Sequence, residues 1–221
     1  MKKYVLPLLI LLMSILYIFF IPSEPFAVKL LFKLIPMWLM IGYAFLQVPY
    51  SKTRTHYLIL AGLFFCMLGD GLLVWFVVGL AAFLIGHLFY MTGFFSQWRF
   101  SIIRFLSIVP IGVYAWLMGK ELVSSLQLSS NNNLIIPVIA YITVISFMLW
   151  SAIMTGNPWA IVGSILFVIS DSILAWNMFV SDISYSGILI MSTYYCAQFL
   201  IARSLSAFRG SNRYTPVRHF P

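Results

Sequence analysis

Apolar runs of about 20 residues recur along the whole chain, and this pattern restricts the fold more than any other feature of the sequence. At a rise of ~1.5 Å per residue, a helix of about 20 residues crosses the ~30 Å hydrocarbon layer of a membrane. Of the 221 residues, 62% are hydrophobic and 8% are charged, whereas about a quarter of a soluble domain is charged. The sequence therefore predicts an integral membrane protein.

Helices are the favoured form for these runs, because unpaired backbone groups in lipid cost several kcal/mol each. The runs also lack the two-residue alternation of a membrane β-barrel. We predict an all-α, polytopic bundle of about eight transmembrane helices within residues 1–208. The predicted spans are 4–21, 26–47, 57–74, 78–95, 102–118, 134–154, 158–179 and 185–205.

The start of the chain also resembles a secretory signal, with basic residues before an apolar body. That body is longer than a usual signal core, and no small-x-small cleavage site follows it. We therefore interpret it as a retained first span.

The net charge of +8 could suggest nucleic acid as a partner, but basic residues beside membrane spans more often set topology. In the eight-span arrangement Lys29, Lys33 and Lys120 fall toward one side, and ten basic residues fall on the other side. This asymmetry predicts a multi-pass protein of the cell membrane with both termini in the cytoplasm and no nucleic-acid partner. The ten residues are Lys2, Lys3, Lys52, Arg54, Arg99, Arg104, Arg203, Arg209, Arg213 and Arg218; the last three lie in a basic tail, 209–221, which we expect to be flexible and cytoplasmic.

An internal repeat relates two spans at an offset of 101 residues. Residues 62–75 read GLFFCMLGDGLLVW and residues 163–176 read GSILFVISDSILAW, so Gly, Asp, Leu and Trp coincide. The segments lie on the third and seventh spans, which run in the same direction. The pattern indicates a parallel four-plus-four repeat with halves of about 1–98 and 99–208.

The repeat places Asp70 and Asp171 at equal depth, each roughly 20 Å from the predicted cytoplasmic ends of their spans. A carboxylate exposed to lipid costs ~2.5 kcal/mol or more on insertion scales, so both should face the interior. Such acids mark a functional site by default, although they can also serve only as polar contacts between helices.

Other polar side chains fall near the same depth and are candidates to surround the same cavity. A histidine or lysine there can support an acid, and hydroxyl or amide groups can bind substrate, but each can also join helices or snorkel outward. Two Asp and one His could also hold a metal ion, although no metal or cofactor is required. These supporting candidates are Lys33, His87, Tyr90, Tyr194, Tyr195 and Gln198.

Five segments together resemble the lysoplasmalogenase family, the YhhN-like bacterial proteins and their animal relatives. The strongest elements are the two Asp-bearing segments and the segment with Gly-His-x-x-Tyr. The segments are LFKLIP at 31–36, GLFFCMLGD at 62–70, FLIGHLFY at 83–90, GSILFVISDSILA at 163–175 and YYCAQFLIA at 194–202.

The resemblance implies a membrane hydrolase that cleaves the vinyl ether bond of a lysoplasmalogen, releasing a fatty aldehyde and a glycerophospho-ethanolamine or -choline. The family's functional acids map onto Asp70 and Asp171, and the implied partners are a lysophospholipid and bilayer lipids. The residues leave a second class open, a small ion-coupled transporter, and a third, a membrane protein without enzymatic activity. They do not indicate an oligomeric state.

Overall fold

The computed structural model describes residues 2–208, and within them the side chains from Tyr4 onward. These residues form nine α-helices joined by short turns, with no strand in this part of the chain. The predicted all-α fold is confirmed, whereas the predicted tail at 209–221 lies outside the described residues. The helices are α1 (Lys2–Phe19), α2 (Phe26–Gln47), α3 (Arg54–Leu72), α4 (Phe76–Phe95), α5 (Ile102–Leu106), α6 (Ile108–Leu128), α7 (Ile135–Thr155), α8 (Pro158–Phe179) and α9 (Ser186–Ser204).

Seven helical stretches in the described chain are long and apolar enough to cross a membrane. One of them, Ile102–Leu128, consists of α5 and α6 together, and α1 adds a shorter apolar helix at Tyr4–Phe19. The protein is therefore a multi-pass membrane protein whose eight apolar stretches follow the predicted order.

Local sequence signals set the depth of the two Asp-bearing helices. At the start of α3, the Thr53 amide donates to His56 Nδ1 at 3.0 Å. At the start of α8, Asn157 Oδ1 accepts the Trp159 amide at 3.0 Å, and Pro158 occupies the first helical position, where its missing N–H costs nothing.

Both helices begin at the same end of the bundle, because Gln97 after α4 donates to Thr55 at the start of α3 and the Arg99 amide donates to the Met154 carbonyl oxygen just before α8. Counted from these starts, Asp70 lies 16 residues after Arg54, whereas Asp171 lies 13 residues after Pro158. The depths of the two acids are therefore similar but not equal, in contrast to the prediction.

The closest helix packing occurs between α3 and α4 and between α8 and α9. A Cβ atom added to Gly62 would lie 3.1 Å from the Gly86 carbonyl oxygen, and one added to Gly163 would lie 3.0 Å from that of Ala197. Small residues allow this approach. Two other helices join these pairs: α7 packs on both α4 and α8, and α2 packs on both α3 and α9.

The two ends of the bundle differ in charge. The end at which α3 and α8 begin, here called the basic end, carries Arg54, Arg99, Arg104 and Arg203 and no acidic residue. The acidic residues outside the bundle interior, Glu24, Glu121 and Asp182, belong to the opposite end.

Candidate functional site

Asp70 is buried at the meeting point of α2, α3 and α9, with a side chain 3% exposed. Its Oδ1 lies 3.0 Å from Lys33 Nζ, and its Oδ2 accepts a hydrogen bond from the Tyr194 hydroxyl at 2.6 Å. A cation and a donor on two other helices therefore satisfy the carboxylate, as a charge in a low-dielectric interior requires.

Lys33 turns toward the interior, so it does not snorkel outward. Besides its contact with the carboxylate, Nζ donates to the Asp70 carbonyl oxygen at 3.3 Å. The Tyr195 hydroxyl donates to the Lys33 carbonyl oxygen at 2.8 Å. These bonds tie α2 to α3 and α9 at the level of the acid.

Asp171 lies on α8 and is less deeply buried than Asp70. Its Oδ2 accepts a hydrogen bond from the Tyr141 hydroxyl on α7. Beside it, Tyr114 on α6 is hydrogen-bonded to Ser172. Asp171 therefore has polar neighbours but no basic partner in the described part of the chain.

An apolar cavity of about 60 Å³ lies against Asp171. Its walls come from the end of α3, α4, α6, α7 and α8, and Tyr114, Tyr141, Asp171 and Ser172 supply hydroxyl and carboxyl groups. A separate groove of about 520 Å³ lies between α1, Met40 and α9, with Tyr195 in its wall. In this cavity the carboxyl group of Asp171 borders a space that is otherwise lined mainly by apolar side chains.

Asp70 does not line this cavity. Phe83 lies between the two sites, because its ring is in the cavity wall and also contacts the Tyr194 ring edge-on, with centroids 6.1 Å apart. The two acids have different hydrogen-bond partners. That Asp70 and Asp171 act on one substrate remains a prediction.

His87 and Gln198 lie in the bundle interior, both 0% exposed. The His87 ring packs edge-on against Phe167, with centroids 4.5 Å apart, and against Tyr141 at 5.4 Å. The Tyr90 hydroxyl donates to Gln198 Oε1 at 2.6 Å. Both ring nitrogens of His87 and Nε2 of Gln198 lack a hydrogen-bond partner among the described residues.

Sequence reasoning did not select Tyr141, Tyr114 and Ser172. Tyr141 and Tyr114 are single tyrosines in apolar spans, where a tyrosine is ordinarily a packing residue. Ser172 could have been found, because it directly follows the repeated Asp. The tyrosine on α7 becomes significant only once helix packing places it beside Asp171.

No group of three or more His, Cys, Asp or Glu side chains within the described residues has the arrangement of a metal site. The polar groups next to Asp171 are tyrosine and serine hydroxyls, which are not the nitrogen and carboxylate sets typical of transition-metal sites.

Comparison with known proteins places the arrangement in a family. The model of the YhhN family matches residues 28–205, which include both acids and every supporting candidate. The chain belongs to the YhhN family. No solved structure matches it significantly.

Two human relatives align with most of this YhhN-family chain. It is 33% identical over 186 residues to lysoplasmalogenase TMEM86B of Homo sapiens, an alignment covering 81% of this chain and 75% of the relative. Over an alignment of 232 positions, gaps included, it is 32% identical to lysoplasmalogenase TMEM86A of Homo sapiens. That alignment covers 92% of this chain and 87% of the relative. A bacterial relative, lysoplasmalogenase of Mycobacterium bovis, is 28% identical over 139 residues, covering 57% and 49%.

Proposed function

We propose that this chain is a membrane lysoplasmalogenase, an ether-bond hydrolase that cleaves the vinyl ether of a lysophospholipid. The names of its relatives support the activity, since animal and bacterial members of the family are called lysoplasmalogenases. The observation that supports the reaction centre is the position of Asp171 in the wall of an apolar cavity.

The chemistry of an enol ether suits a carboxylic acid at the edge of an apolar space. Protonation of the outer vinyl carbon converts the ether into an oxocarbenium ion. Water then adds to the inner carbon and loses a proton, and the resulting hemiacetal collapses to an aldehyde and the glycerol hydroxyl. The net change is the addition of one water molecule, and the acid recovers its proton.

Asp171 is the proposed proton donor, because it reaches the cavity and has no basic neighbour that would hold it as a carboxylate. Tyr141 orients the carboxyl group through its hydrogen bond to Oδ2. General acid catalysis of this kind typically contributes about 10²- to 10⁴-fold.

Asp70 is the proposed anionic partner. Lys33 and Tyr194 hold its carboxylate in the ionised form. The Phe83 ring separates Asp70 from the cavity, so in this proposal the carboxylate acts on the cationic intermediate across that ring, as a preorganised charge and not by direct contact. The lysine makes Asp70 the poorer candidate for proton donor.

The cavity is narrow for a lipid chain, so substrate binding requires a helix to move. We expect α6 to do so, because only three of its residues are buried, Ile111, Leu122 and Leu126. Three of the cavity-lining residues, Tyr114, Met118 and Leu122, lie on the same helix.

Purified protein incubated with lysoplasmalogen in detergent should release fatty aldehyde. A lysophospholipid with a saturated ether in place of the vinyl ether should survive, because it has no double bond to protonate. Uptake of a solute into proteoliposomes without aldehyde release would instead favour the transporter alternative.

A further inference from the structure

A polar pocket of about 200 Å³ lies at the basic end of the bundle, and none of its lining residues also lines the cavity next to Asp171. Three segments form its walls: the loop after α4, the turn between α7 and α8, and the residues after α9. A water molecule needs only roughly 10–15 Å³ of such space, so this basic-end pocket has room for a small polar ligand. Its lining residues are Gln97, Arg99, residues 155–159, Ala207 and Phe208.

Hydrogen bonds between the three segments hold the basic-end pocket in place. The Arg99 amide donates to the Met154 carbonyl oxygen at 2.9 Å, which joins the loop after α4 to the end of α7. Asn157 Nδ2 donates to the Ser204 carbonyl oxygen at 3.2 Å, which joins the start of α8 to the end of α9. The pocket is therefore a built feature between packed helix ends.

Three arginines surround this pocket. Arg99 lines it directly. The guanidinium group of Arg104 lies against Gly156, where an added Cβ would be 2.5 Å from Nη1. The guanidinium group of Arg203 lies over the Trp159 ring, 4.2 Å from its centroid. Since Gly156 and Trp159 both belong to the pocket wall, three positive charges from different parts of the chain meet at one pocket.

No carboxylate side chain of the neighbouring segments balances these charges. Residues 96–108, 153–162 and 199–208 form the pocket and its surroundings, and they contain no Asp or Glu. Among the described residues, the one ion pair joins Lys33 to Asp70 in the bundle interior. The first residues of α8 also lie in the wall, and the peptide dipoles of a helix make that end partly positive. The pocket therefore favours an anion.

The chemistry of the pocket favours a phosphate group over other anions. A guanidinium group donates paired hydrogen bonds to two oxygens of one anion, and three such groups match the several oxygens of a phosphate better than the two of a carboxylate. Arginine and tryptophan are also typical of the membrane surface. Lipid phosphates are abundant anions at that surface, and an anionic leaflet concentrates them.

We propose that the basic-end pocket binds a phosphate group, with Arg99 as its principal ligand and Arg104 and Arg203 as supporting charges. Two sources supply such a group at this surface, the headgroup of an anionic lipid and a free phosphate in the water phase. Asp171 lies about 20 Å further along α8 from the pocket. The phosphate site is therefore distinct from the proposed reaction centre and does not depend on the hydrolase function.

Binding is measured as a shift in the melting temperature of the full-length protein, purified in a neutral detergent and a phosphate-free buffer. A ligand that binds only the folded protein stabilises it by mass action. The probes are inorganic phosphate and, in a separate series, phosphatidylglycerol in mixed micelles. At ten times its dissociation constant, a probe that binds should raise the melting temperature by roughly 3–6 °C. The controls are acetate at equal ionic strength and diacylglycerol, which has no phosphate; both should give much smaller shifts.

The variant Arg99→Gln should weaken binding of the active probe roughly ten- to a hundredfold, because it removes a charge-assisted hydrogen-bond donor. Arg203→Gln is a second variant and should weaken binding by a smaller factor, since Arg203 lies behind the pocket wall. The matched control is Lys52→Gln, which removes a cation from the same end. Lys52 Nζ lies over the Phe45 ring, 5.4 Å from its centroid, and Lys52 does not line the pocket, so this variant should bind normally.

The two series of probes distinguish the sources of the phosphate group. A shift with phosphatidylglycerol alone assigns the site to a lipid headgroup, a shift with inorganic phosphate alone assigns it to a soluble ligand, and shifts with both show that the phosphate group itself is recognised. No shift with either probe would overturn the site. Acetate as effective as phosphate, or equal affinity in Arg99→Gln, Arg203→Gln and Lys52→Gln, would overturn it as well.

Discussion

At the scale of single residues, the two acids differ in their partners more than in their depth. Asp70 is held by a lysine and a tyrosine, whereas Asp171 is held by a tyrosine alone and borders a cavity. The same residue type is thereby suited to two roles, a fixed anion and a proton donor. The sequence could not distinguish the two acids, because their partners lie on other helices, α2 and α9 for Asp70 and α7 for Asp171.

Removing one member of the Lys33–Asp70 pair should destabilise the protein more than removing both. Lys33→Met leaves a buried carboxylate without its cation, a change that costs roughly 3–5 kcal/mol for buried pairs. Lys33→Met combined with Asp70→Asn should recover much of the melting temperature in detergent and remain inactive. An additive loss of stability in the double variant would show that the two charges do not depend on each other.

Tyr141→Phe should lower kcat roughly ten- to a hundredfold, because it removes a hydrogen bond to a carboxyl group. Tyr114→Phe is the matched control, since Tyr114 lines the same cavity but bonds Ser172 rather than the acid. The pair is compared by aldehyde release under identical conditions. Equal effects of both substitutions would argue against a special role for Tyr141.

At the scale of helices, close packing of α3 on α4 and of α8 on α9 positions the site. The paired contacts Gly62–Gly86 and Gly163–Ala197 are what a parallel four-plus-four repeat would produce, and the repeat remains a prediction. Both glycines of the repeated segments could be selected from the sequence. Gly86 on α4 could be selected as well, as a glycine inside a span. Ala197 on α9 could not, because it lies 111 residues after Gly86 and not at the repeat offset of 101.

Gly62→Ala should destabilise the bundle, because the added Cβ would lie 2.4 Å from the Tyr90 ring. Overpacking of this kind typically costs about 1–3 kcal/mol. Gly42→Ala is the control, since nothing lies within 4 Å of its added Cβ. Thermal unfolding in detergent should show a clear loss for Gly62→Ala and none for Gly42→Ala.

Much of the helical framework could be predicted from the sequence, because span length and apolarity depend on the membrane thickness and not on tertiary contacts. Helix α2, for example, has its predicted bounds at Phe26 and Gln47. Helix α6 extends to Leu128, ten residues beyond its predicted end at 118, since polar residues such as Glu121 are tolerated near a membrane surface. The partner of Asp171 was missed because helix order does not fix which faces of α7 and α8 meet.

At the scale of the whole molecule, the two ends of the bundle differ in charge and in the position of the apolar cavity. The basic end carries cations and no acidic residue, and the cavity is lined in part by Phe76 and Phe179 at the other ends of α4 and α8. Lipid would reach the acids from that side. We propose that the basic end faces the cytoplasm, since Lys and Arg are enriched in cytoplasmic loops.

Reporter fusions test this orientation. Fusions after Arg54 and after Phe208 should report a cytoplasmic position, and one within residues 129–133 should report an external position. Substituting Arg99 and Arg104 together with Gln should weaken the bias but not reverse it, because Lys52, Arg54 and Arg203 remain. A cytoplasmic signal from the 129–133 fusion would contradict the proposed orientation.

The measurement that tests the account most directly is aldehyde release from lysoplasmalogen by the variant Asp171→Asn, beside the unaltered protein. Asn keeps the size of the side chain but has no acidic proton, so turnover should fall by about 10²- to 10⁴-fold while the melting temperature changes little. Asp182→Asn, at an acid of the α8–α9 turn, should turn over normally. A folded Asp171→Asn protein that releases aldehyde at the unaltered rate would contradict the assignment of Asp171 as the proton donor.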